Sequence, residues 1–312
     1  MLKMLEKNSL RGVSVVIPTI NRAAVLVKTV RDMLNQQFDD YEILIVDQSD
    51  EINAEVLDLI KQIDQPRIRY FKANFKGLPQ ARNFGWRHAA KDVVLYIDDD
   101  IRTGTDLVRS HFESHIKTGA DMVAGGIDEA GDKPSHLPTG SFNWWTATPI
   151  ANFCATTASW CIHGKGCNFS VRRSALGTVG GLDEVLSIGA ALYEESELAL
   201  RLYKAGKRTW FEPSARLLHL AAPMGGCRVT KDWPRYMFGL AHNRSILIFR
   251  HLKPWHRPTA LLRLLMLGLS YSRLDQSPRP LLATLRGLTA GRRAAAMSPL
   301  NAELDAIECT SC

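Results

Sequence analysis

The chain has 312 residues, of which 46% are hydrophobic and 23% are charged, and it carries a formal net charge of +7. These values are typical of a globular protein and provide ample material for one large domain, or for one domain with an extension. The sequence has no uncharged apolar run of about 18 residues and no signal-peptide-like start. We therefore expect a cytoplasmic protein without a transmembrane helix. The six cysteines match no zinc-binding spacing, and the terminal CTSC is a lone CxxC in a polar tail to which we assign no role.

Strand and helix patterns alternate over roughly the first 130 residues. Apolar, β-branched runs predict strands at 13–17, 42–46, 67–71, 93–97 and 121–127. Helical spacing predicts a helix capped by Asn21, one that carries Val56, Leu59, Ile60 and Ile63, and one over 80–89. This alternation predicts a doubly wound, mostly parallel α/β sheet with helices on both faces.

Three consecutive aspartates, Asp98, Asp99 and Asp100, follow the apolar strand VVLYI. In open α/β sheets ligands bind where the strands end, so these carboxylates lie at the expected ligand-binding edge. Three adjacent carboxylates repel one another, and a divalent cation would relieve that repulsion. Oxygen ligands favour Mg²⁺ or Mn²⁺, and such ions usually carry substrate phosphates. The alternative is a solvated acidic turn.

Residues 131–158 break the alternation and read as a loop-rich segment. Trp144 and Trp145 are candidates for stacking on the faces of acceptor sugars. Packing of both tryptophans in the core is the alternative.

The basic excess lies in the C-terminal part of the chain. Residues 228–312 have 13 Lys and Arg against 5 Asp and Glu, a net of +8, whereas the remainder has a net of −1. Helices are predicted over 233–249, 260–271 and 278–293, and the last pairs leucines with Arg286, Arg292 and Arg293. We expect a catalytic domain over 1–226 and a basic, amphipathic extension over 227–312. The extension either contacts an anionic membrane surface or packs on the catalytic domain.

The motifs resemble those of family 2 glycosyltransferases, inverting enzymes of the GT-A fold, over about residues 13–223. The resemblance rests on VSVVIPTINR, EILIVDQSD, GLPQARNFGW, VVLYIDDD, VGGLDE and EESELALRLYKAG, in that order. It implies a nucleoside-diphosphate-sugar donor and Mg²⁺ or Mn²⁺ as cofactor. The residues that it assigns to donor binding are Pro18, Thr19, Asn21, Arg22, Asp47, Arg82, Asp98 and Asp99.

The resemblance also assigns the general base to the second acid of the family's Glu-Asp motif, which is Glu195 here, after Glu194. Glutamate replaces the usual aspartate and adds one methylene. The competing explanation is that these acids only stabilise a helix N-terminus. His219 is a candidate metal ligand beside Asp98 and Asp100, and a structural histidine is the alternative. His163 and Lys165 are expected on the acceptor side.

The function that these observations predict is a metal-dependent inverting glycosyltransferase acting on a glycan or lipid-linked acceptor, in surface polysaccharide synthesis. We expect it on the inner face of the cell membrane, without a nucleic-acid partner. The alternatives are a nucleotidyltransferase, disfavoured because no Gly-rich basic loop follows the first strand, and a non-catalytic nucleotide-sugar-binding protein.

Overall fold

The computed structural model describes residues 10–51, 54–63, 67–133, 135–222 and 232–296. The predicted domain boundary at 226/227 and the CTSC motif lie outside these residues, as do the side chains of Ile60 and Ile63. Three cysteines in the described part, Cys154, Cys161 and Cys167, are free thiols.

A mixed nine-stranded sheet forms the centre of the molecule, with the strand order β3-β2-β1-β4-β10-β6-β11-β5 and β9 paired to β11. Its strands are β1 Val13–Thr19, β2 Tyr41–Asp47, β3 Ile68–Lys72, β4 Val93–Ile97, β5 Ile101–Thr103, β6 Met122–Asp128, β9 Ser159–Cys161, β10 Asn168–Arg172 and β11 Thr209–His219. A separate hairpin consists of β7 Ser141–Asn143 and β8 Thr148–Ile150. Strands β1, β2, β3 and β4 are parallel, as are β6 and β11, so their carboxyl ends meet at one edge.

Nine α-helices are described: α1 Ala23–Leu34, α2 Ala54–Ile63, α3 Leu78–His88, α4 Leu107–Thr118, α5 Arg173–Val179, α6 Glu194–Lys204, α7 Trp233–His251, α8 Arg257–Leu274 and α9 Arg279–Ala294. Short 3₁₀ turns cover Glu184–Ser187 and Pro254–His256.

Alternate side chains of β1 enter two different cores, because successive residues of a strand point to opposite faces of the sheet. Val13, Val15 and Ile17 pack on the face covered by α1, α2 and α4. Val16 packs on the face covered by α3, α5 and α6. The predicted doubly wound α/β architecture is therefore confirmed, with one addition. Strand β10 is antiparallel to both of its neighbours, β4 and β6, so the sheet is mixed.

Two local predictions differ from the structure. Helix α1 begins at Ala23 rather than directly after Asn21, because Asn21 adopts a positive φ of 54° and its backbone N–H donates to Ser49 Oγ. The segment predicted as a loop-rich region contains the β7–β8 hairpin, whose turn places Asn143 Oδ1 to accept from the N–H of Trp145.

The C-terminal helices pack through α7 on the part of the chain that forms the central sheet. Leu247 and Ile248 of α7 share a core with Leu200 of α6, and the Asn243 amide donates to the carbonyls of Leu186 and Leu192. Helix α9 approaches α7 at Gly287 and Gly291, where a Cβ atom would collide with backbone carbonyls of α7. Packing on the domain is thus observed for this part of the extension. Among the described helices, none combines the length and the apolar character needed to cross a bilayer.

Candidate active site

The ends of β1 and β4 bring Thr19 next to the aspartate triplet. Thr19 Oγ1 donates to Asp99 Oδ2 over 2.6 Å, and Arg22 Nη1 lies 2.9 Å from Asp99 Oδ1. Burial raises the pKa of Asp99 to about 6, although these two partners oppose the shift. Asp99 thereby joins the first strand-to-helix turn to the acidic loop.

Three other side chains converge in a geometry suited to a cation. Asp98, Asp100 and His219 each place one ligand atom within 4.8 Å of the others. Asp100 Oδ1 is buried and accepts no hydrogen bond from the described residues, while its Oδ2 accepts from the Ala222 N–H at 2.8 Å. His219 Nε2 lies 3.2 Å from Asp100 Oδ1. A buried carboxylate oxygen that accepts no hydrogen bond and lies beside a histidine nitrogen fits a metal site.

Glu129, which follows β6, holds the other side of the His219 ring. Its carboxylate contacts His219 Nδ1 and also pairs with Lys165. A carboxylate on the far nitrogen of a metal-binding histidine orients the ring and directs the nearer nitrogen at the metal. Burial alone would lower the pKa of His219, but Asp100 and Glu129 raise it to about 9. The hydrogen bond from His219 lowers the pKa of Glu129 to about 2, despite its partial burial.

A cavity of about 320 Å³ opens beside these groups. Pro18, Thr19, Ile20, Arg22, Gln48, Leu78, Asp98, Asp99, Ala190, Leu192 and His219 line it. Five predicted donor-binding residues and the predicted metal ligand His219 therefore face one space, which we call the donor cavity. Asn21 is exposed beside it and its amide lies 3.4 Å from Asp50.

Asp47 is buried at the end of β2 with both carboxylate oxygens engaged. Oδ1 accepts from the Ser49 N–H at 2.8 Å, and Oδ2 accepts from the Tyr70 hydroxyl at 2.5 Å. The carboxylate holds the turn after β2, while recognition of a nucleotide base by Asp47 stays a prediction.

Arg82 links the acidic loop to helix α6. Its guanidinium is fully buried, lies 3.0 Å from Asp98 Oδ1, pairs with Glu194 and donates to the Gly166 carbonyl at 2.7 Å. The rings of Tyr96 and Phe169 flank it. Two carboxylates and a carbonyl engage the terminal nitrogens of Arg82, and a contact between Arg82 and a diphosphate stays a prediction.

The two glutamates that begin α6 have different surroundings. Glu194 is buried against Arg82, whereas Glu195 is half-buried and its carboxylate accepts from the Ser196 hydroxyl at 3.0 Å. Glu195 is therefore the more available carboxylate. Tyr193, directly before the helix, has a positive φ of 71°, which turns the chain from the donor cavity into α6.

Three of the four residues predicted on the acceptor side do not line the donor cavity. Trp144 packs on Phe142 and on Tyr203 at the C-terminal end of α6, and Trp145 packs on His256. His163 is buried between the carbonyls of Ser141 and Gly164, which occupy both ring nitrogens. Contact of these residues with an acceptor stays a prediction. Lys165 does lie near the acidic loop, through Glu129.

Glu129 is the main residue that the sequence analysis missed. Its signal was present, since it stands two residues beyond the predicted strand 121–127, at the edge where the other acids cluster. The importance of that position becomes clear only when β11 pairs with β6 and delivers His219.

Comparison with known proteins places this geometry in a family. The profile of "Glycosyl transferase family 2" matches residues 14–180. The chain belongs to glycosyltransferase family 2. Among curated members, it is 38% identical over 91 residues to GalNAc(5)-diNAcBac-PP-undecaprenol beta-1,3-glucosyltransferase of Campylobacter jejuni, covering 28% of this chain and 29% of that protein. It is 27% identical over 119 residues to poly(ribitol-phosphate) beta-N-acetylglucosaminyltransferase TarP of Staphylococcus aureus, covering 37% and 36%. The chain thus spans about a third of each relative.

Solved structures show the same fold. Mannosyltransferase PcManGT from Pyrobaculum calidifontis, in complex with GDP-Man and Mn²⁺, superposes with a TM-score of 0.57 at 15% identity, covering 92% of this chain and 88% of that one. GalNAc-T7, with UDP, GalNAc and Mn²⁺, gives 0.59 at 17% identity, covering 86% and 58%. These similarities confirm the predicted GT-A fold.

Proposed function

We propose that this family 2 member is a metal-dependent, inverting glycosyltransferase that moves a sugar from a nucleoside-diphosphate sugar to a glycan or lipid-linked acceptor. The observation that carries the proposal is the convergence of Asp98, Asp100 and His219 beside the donor cavity. The donor class is supported by the two structurally similar enzymes, which are in complex with GDP-Man or UDP and with Mn²⁺.

Asp98, Asp100 and His219 would hold Mg²⁺ or Mn²⁺. The bound ion would neutralise the charge that develops on the departing nucleoside diphosphate. Asp99 has a structural role. Its carboxylate accepts hydrogen bonds from Thr19 and Arg22, and these hold the loop that carries Asp98 and Asp100. Glu129 orients His219 through the opposite ring nitrogen.

Glu195 is the proposed general base. An inverting transfer needs one carboxylate near the acceptor hydroxyl and no protein nucleophile. Glu195 is accessible, and its neighbour Glu194 is anchored to Arg82, which also contacts Asp98. Through this connection the acidic loop and the start of α6 keep a fixed separation.

Product analysis tests the reaction class. The full-length protein is incubated with Mn²⁺ and individual UDP, GDP and dTDP sugars, and the released nucleotide is identified. Nucleoside diphosphate, with loss of release in Asp100→Ala, supports glycosyl transfer. Pyrophosphate release from sugar phosphate and nucleoside triphosphate would establish the alternative nucleotidyltransferase. Saturable donor binding without turnover, in the presence of a broad set of acceptors, would establish the non-catalytic binder.

The acceptor and the location form a second part of the proposal. We propose that the outer face of α8 and α9 rests on the anionic inner face of the cell membrane, where a lipid-linked acceptor would be presented. Large apolar side chains are exposed on this face, namely Leu262, Met266, Leu269, Leu274, Leu282 and Leu285. Exposed arginines accompany them at positions 263, 273, 279, 286, 292 and 293. Apolar area with basic residues is the composition of an interfacial helix. The named substrate of the Campylobacter jejuni relative, an undecaprenol diphosphate glycan, supports a lipid-linked acceptor.

A further inference from the structure

A second cavity lies at the C-terminal end of α6, against the β7–β8 hairpin and the start of α8. We call it the tryptophan cavity, after Trp144 and Trp145 in its lining. Its volume is about 760 Å³, and pockets that bind small molecules usually measure roughly 300–1,000 Å³. The cavity is therefore large enough for a ligand of several rings.

The tryptophan cavity is separate from the donor cavity. Its lining includes Tyr203 and Lys204 at the end of α6, whereas Glu195 stands at the beginning of that helix. At 1.5 Å per residue, Glu195 and Tyr203 are about 12 Å apart along the helix axis. Among the described residues, no side chain lines both cavities.

An exposed aromatic ring dominates the wall of this cavity. Trp145 is 56% exposed, although it packs on the His256 ring at 4.3 Å. Trp144 lines the same cavity, and its ring packs edge-on against Phe142 at 4.8 Å. A large ring that is held in place and still faces solvent offers a preformed surface for a flat, weakly polar ligand face.

Among the described residues of the lining, one buried polar atom has no hydrogen-bond partner. His251 is buried and its Nε2 lies 3.3 Å from Glu197 Oε1, while its Nδ1 has no hydrogen bond to the described residues. Burial lowers the pKa of His251, so the ring is neutral at neutral pH. Burial would raise the pKa of Glu197, but Arg201 and His251 hold it at about 2. Since the neutral ring must donate from Nε2 to that carboxylate, Nδ1 carries a lone pair.

The ligand chemistry follows from these two features. A lone pair on a buried nitrogen needs an O–H or N–H donor, and an exposed tryptophan ring needs an apolar face. A pyranose sugar has both, because one face of the ring carries C–H groups while hydroxyls project from its rim. We propose that the tryptophan cavity is a saccharide-binding subsite that takes a neutral sugar unit against Trp145, with a sugar hydroxyl donating to His251. This subsite goes beyond the proposed transferase activity and does not depend on the identity of the donor.

The test uses the full-length protein on an array of neutral oligosaccharides of two to six units. We expect saturable binding to a subset of them. Trp145→Ala should weaken that binding at least about tenfold, since it removes the stacking surface. Trp145→Phe should weaken it less, because a smaller aromatic ring remains. The matched control is Trp160→Ala, which removes a tryptophan that is 47% exposed on β9, outside the cavity.

Folding and donor binding are followed in the same proteins. The variants should keep the native melting temperature and the stabilisation by UDP or GDP with Mn²⁺. Absence of oligosaccharide binding by the native protein overturns the proposal, as does equal loss in Trp145→Ala and Trp160→Ala. The experiment measures oligosaccharide binding and not turnover. Its result therefore tests the subsite separately from the proposed transferase activity.

Discussion

The guanidinium of Arg82 forms a fully buried ion pair with Glu194, 112 positions along the chain, and contacts Asp98 through its other terminal nitrogen. Burying one cation between two acids is favourable only when all three partners remain in place, since an unpaired buried charge is expensive. The pair is therefore a structural connection between the loop that carries the proposed metal ligands and the helix that carries the proposed base.

Arg82→Lys should damage this connection although it conserves the charge. A single ammonium group cannot reach Asp98, Glu194 and the Gly166 carbonyl together, as the planar guanidinium does. We expect a loss of about 3 kcal/mol in the free energy of unfolding, together with reduced turnover. Urea denaturation measures the first. The control is Arg87→Lys on the exposed side of α3, and equal stability of the two variants would contradict the assignment.

Glu195→Gln should act on the chemical step alone. The side chain is half-buried, so the melting temperature and the donor affinity should stay near native. Turnover should fall by about 10²-fold, the scale of a positioned general base. Glu195→Asp should be partly active. Single-turnover rates and nucleotide titrations separate these effects.

Glu194→Gln is the matched variant for that experiment. Because it removes one of the two carboxylates that contact the buried Arg82, it should lower stability as well as activity. If Glu194→Gln slowed the chemical step more than Glu195→Gln, the assignment of the base would move by one residue. If neither did, Asp183 and Glu184 would be tested next, although they already bind Arg250 and Asn83 respectively.

Mn²⁺ affinity should depend on pH through His219. Its pKa is raised to about 9 in the metal-free protein, so the ring is protonated at pH 7 and must lose a proton to coordinate. The affinity should therefore increase by up to about tenfold per pH unit below pH 9, with other groups held constant. Calorimetry in buffers of different ionisation enthalpy should detect about one proton released per ion. If His219→Gln released the same number of protons on binding Mn²⁺, the His219 ring would not be the source of the proton.

Glu197 should control acid stability outside the metal site. It is fully buried at the start of α6, where Arg201 and His251 hold its pKa at about 2 despite the opposing effect of burial. A lowered folded-state pKa contributes stability above the unfolded value of about 4.5, and that contribution disappears as the pH falls towards 2. Glu197→Gln should thus cost on the order of 3 kcal/mol at pH 7 and progressively less below pH 4.5. Unfolding curves at several pH values measure the difference in free energy of unfolding between the native protein and Glu197→Gln. A difference that stayed constant with pH would refute the prediction.

The exposed face of α8 and α9 should bind anionic vesicles. The double substitution Leu282→Asp and Leu285→Asp should reduce cosedimentation with phosphatidylglycerol vesicles at least about tenfold, because two leucines lose their apolar contact. High salt should weaken binding of the native protein. Leu137→Asp, at an exposed leucine before the β7–β8 hairpin, is the control. If the native protein bound phosphatidylcholine and phosphatidylglycerol vesicles equally, the proposed attraction between the arginines and anionic lipids would be contradicted.

Local sequence patterns were sufficient for the first half of the fold. Runs such as VVLYI predict a buried strand. The aspartates that follow such a run in the sequence then lie at the end of that strand. The family and the GT-A fold were predicted from such segments and are confirmed. The position of β10 could not be predicted in this way, because its antiparallel insertion between β4 and β6 depends on strand pairing far apart in the chain.

The same limit applied to the site. Asp98, Asp100 and His219 were each recognisable, and the structure brings them together, but Glu129 gained its meaning only from the pairing of β6 with β11. Trp144 and Trp145 were chosen by residue type alone. Their actual position depends on the β7–β8 turn and on the C-terminal helices, which no local pattern specifies.

The pairing of β5 with β11 also has a consequence for how the protein folds. Strand β5 begins directly after Asp100, and its Ile101 pairs with His219 at the end of β11. The proposed metal ligands, about 120 residues apart in the chain, therefore meet when this pairing forms, and contacts between such distant segments are slow to form because the chain must first close a long loop. Partly folded chains would therefore lack a high-affinity ion site, and the ion would selectively stabilise molecules whose sheet is complete.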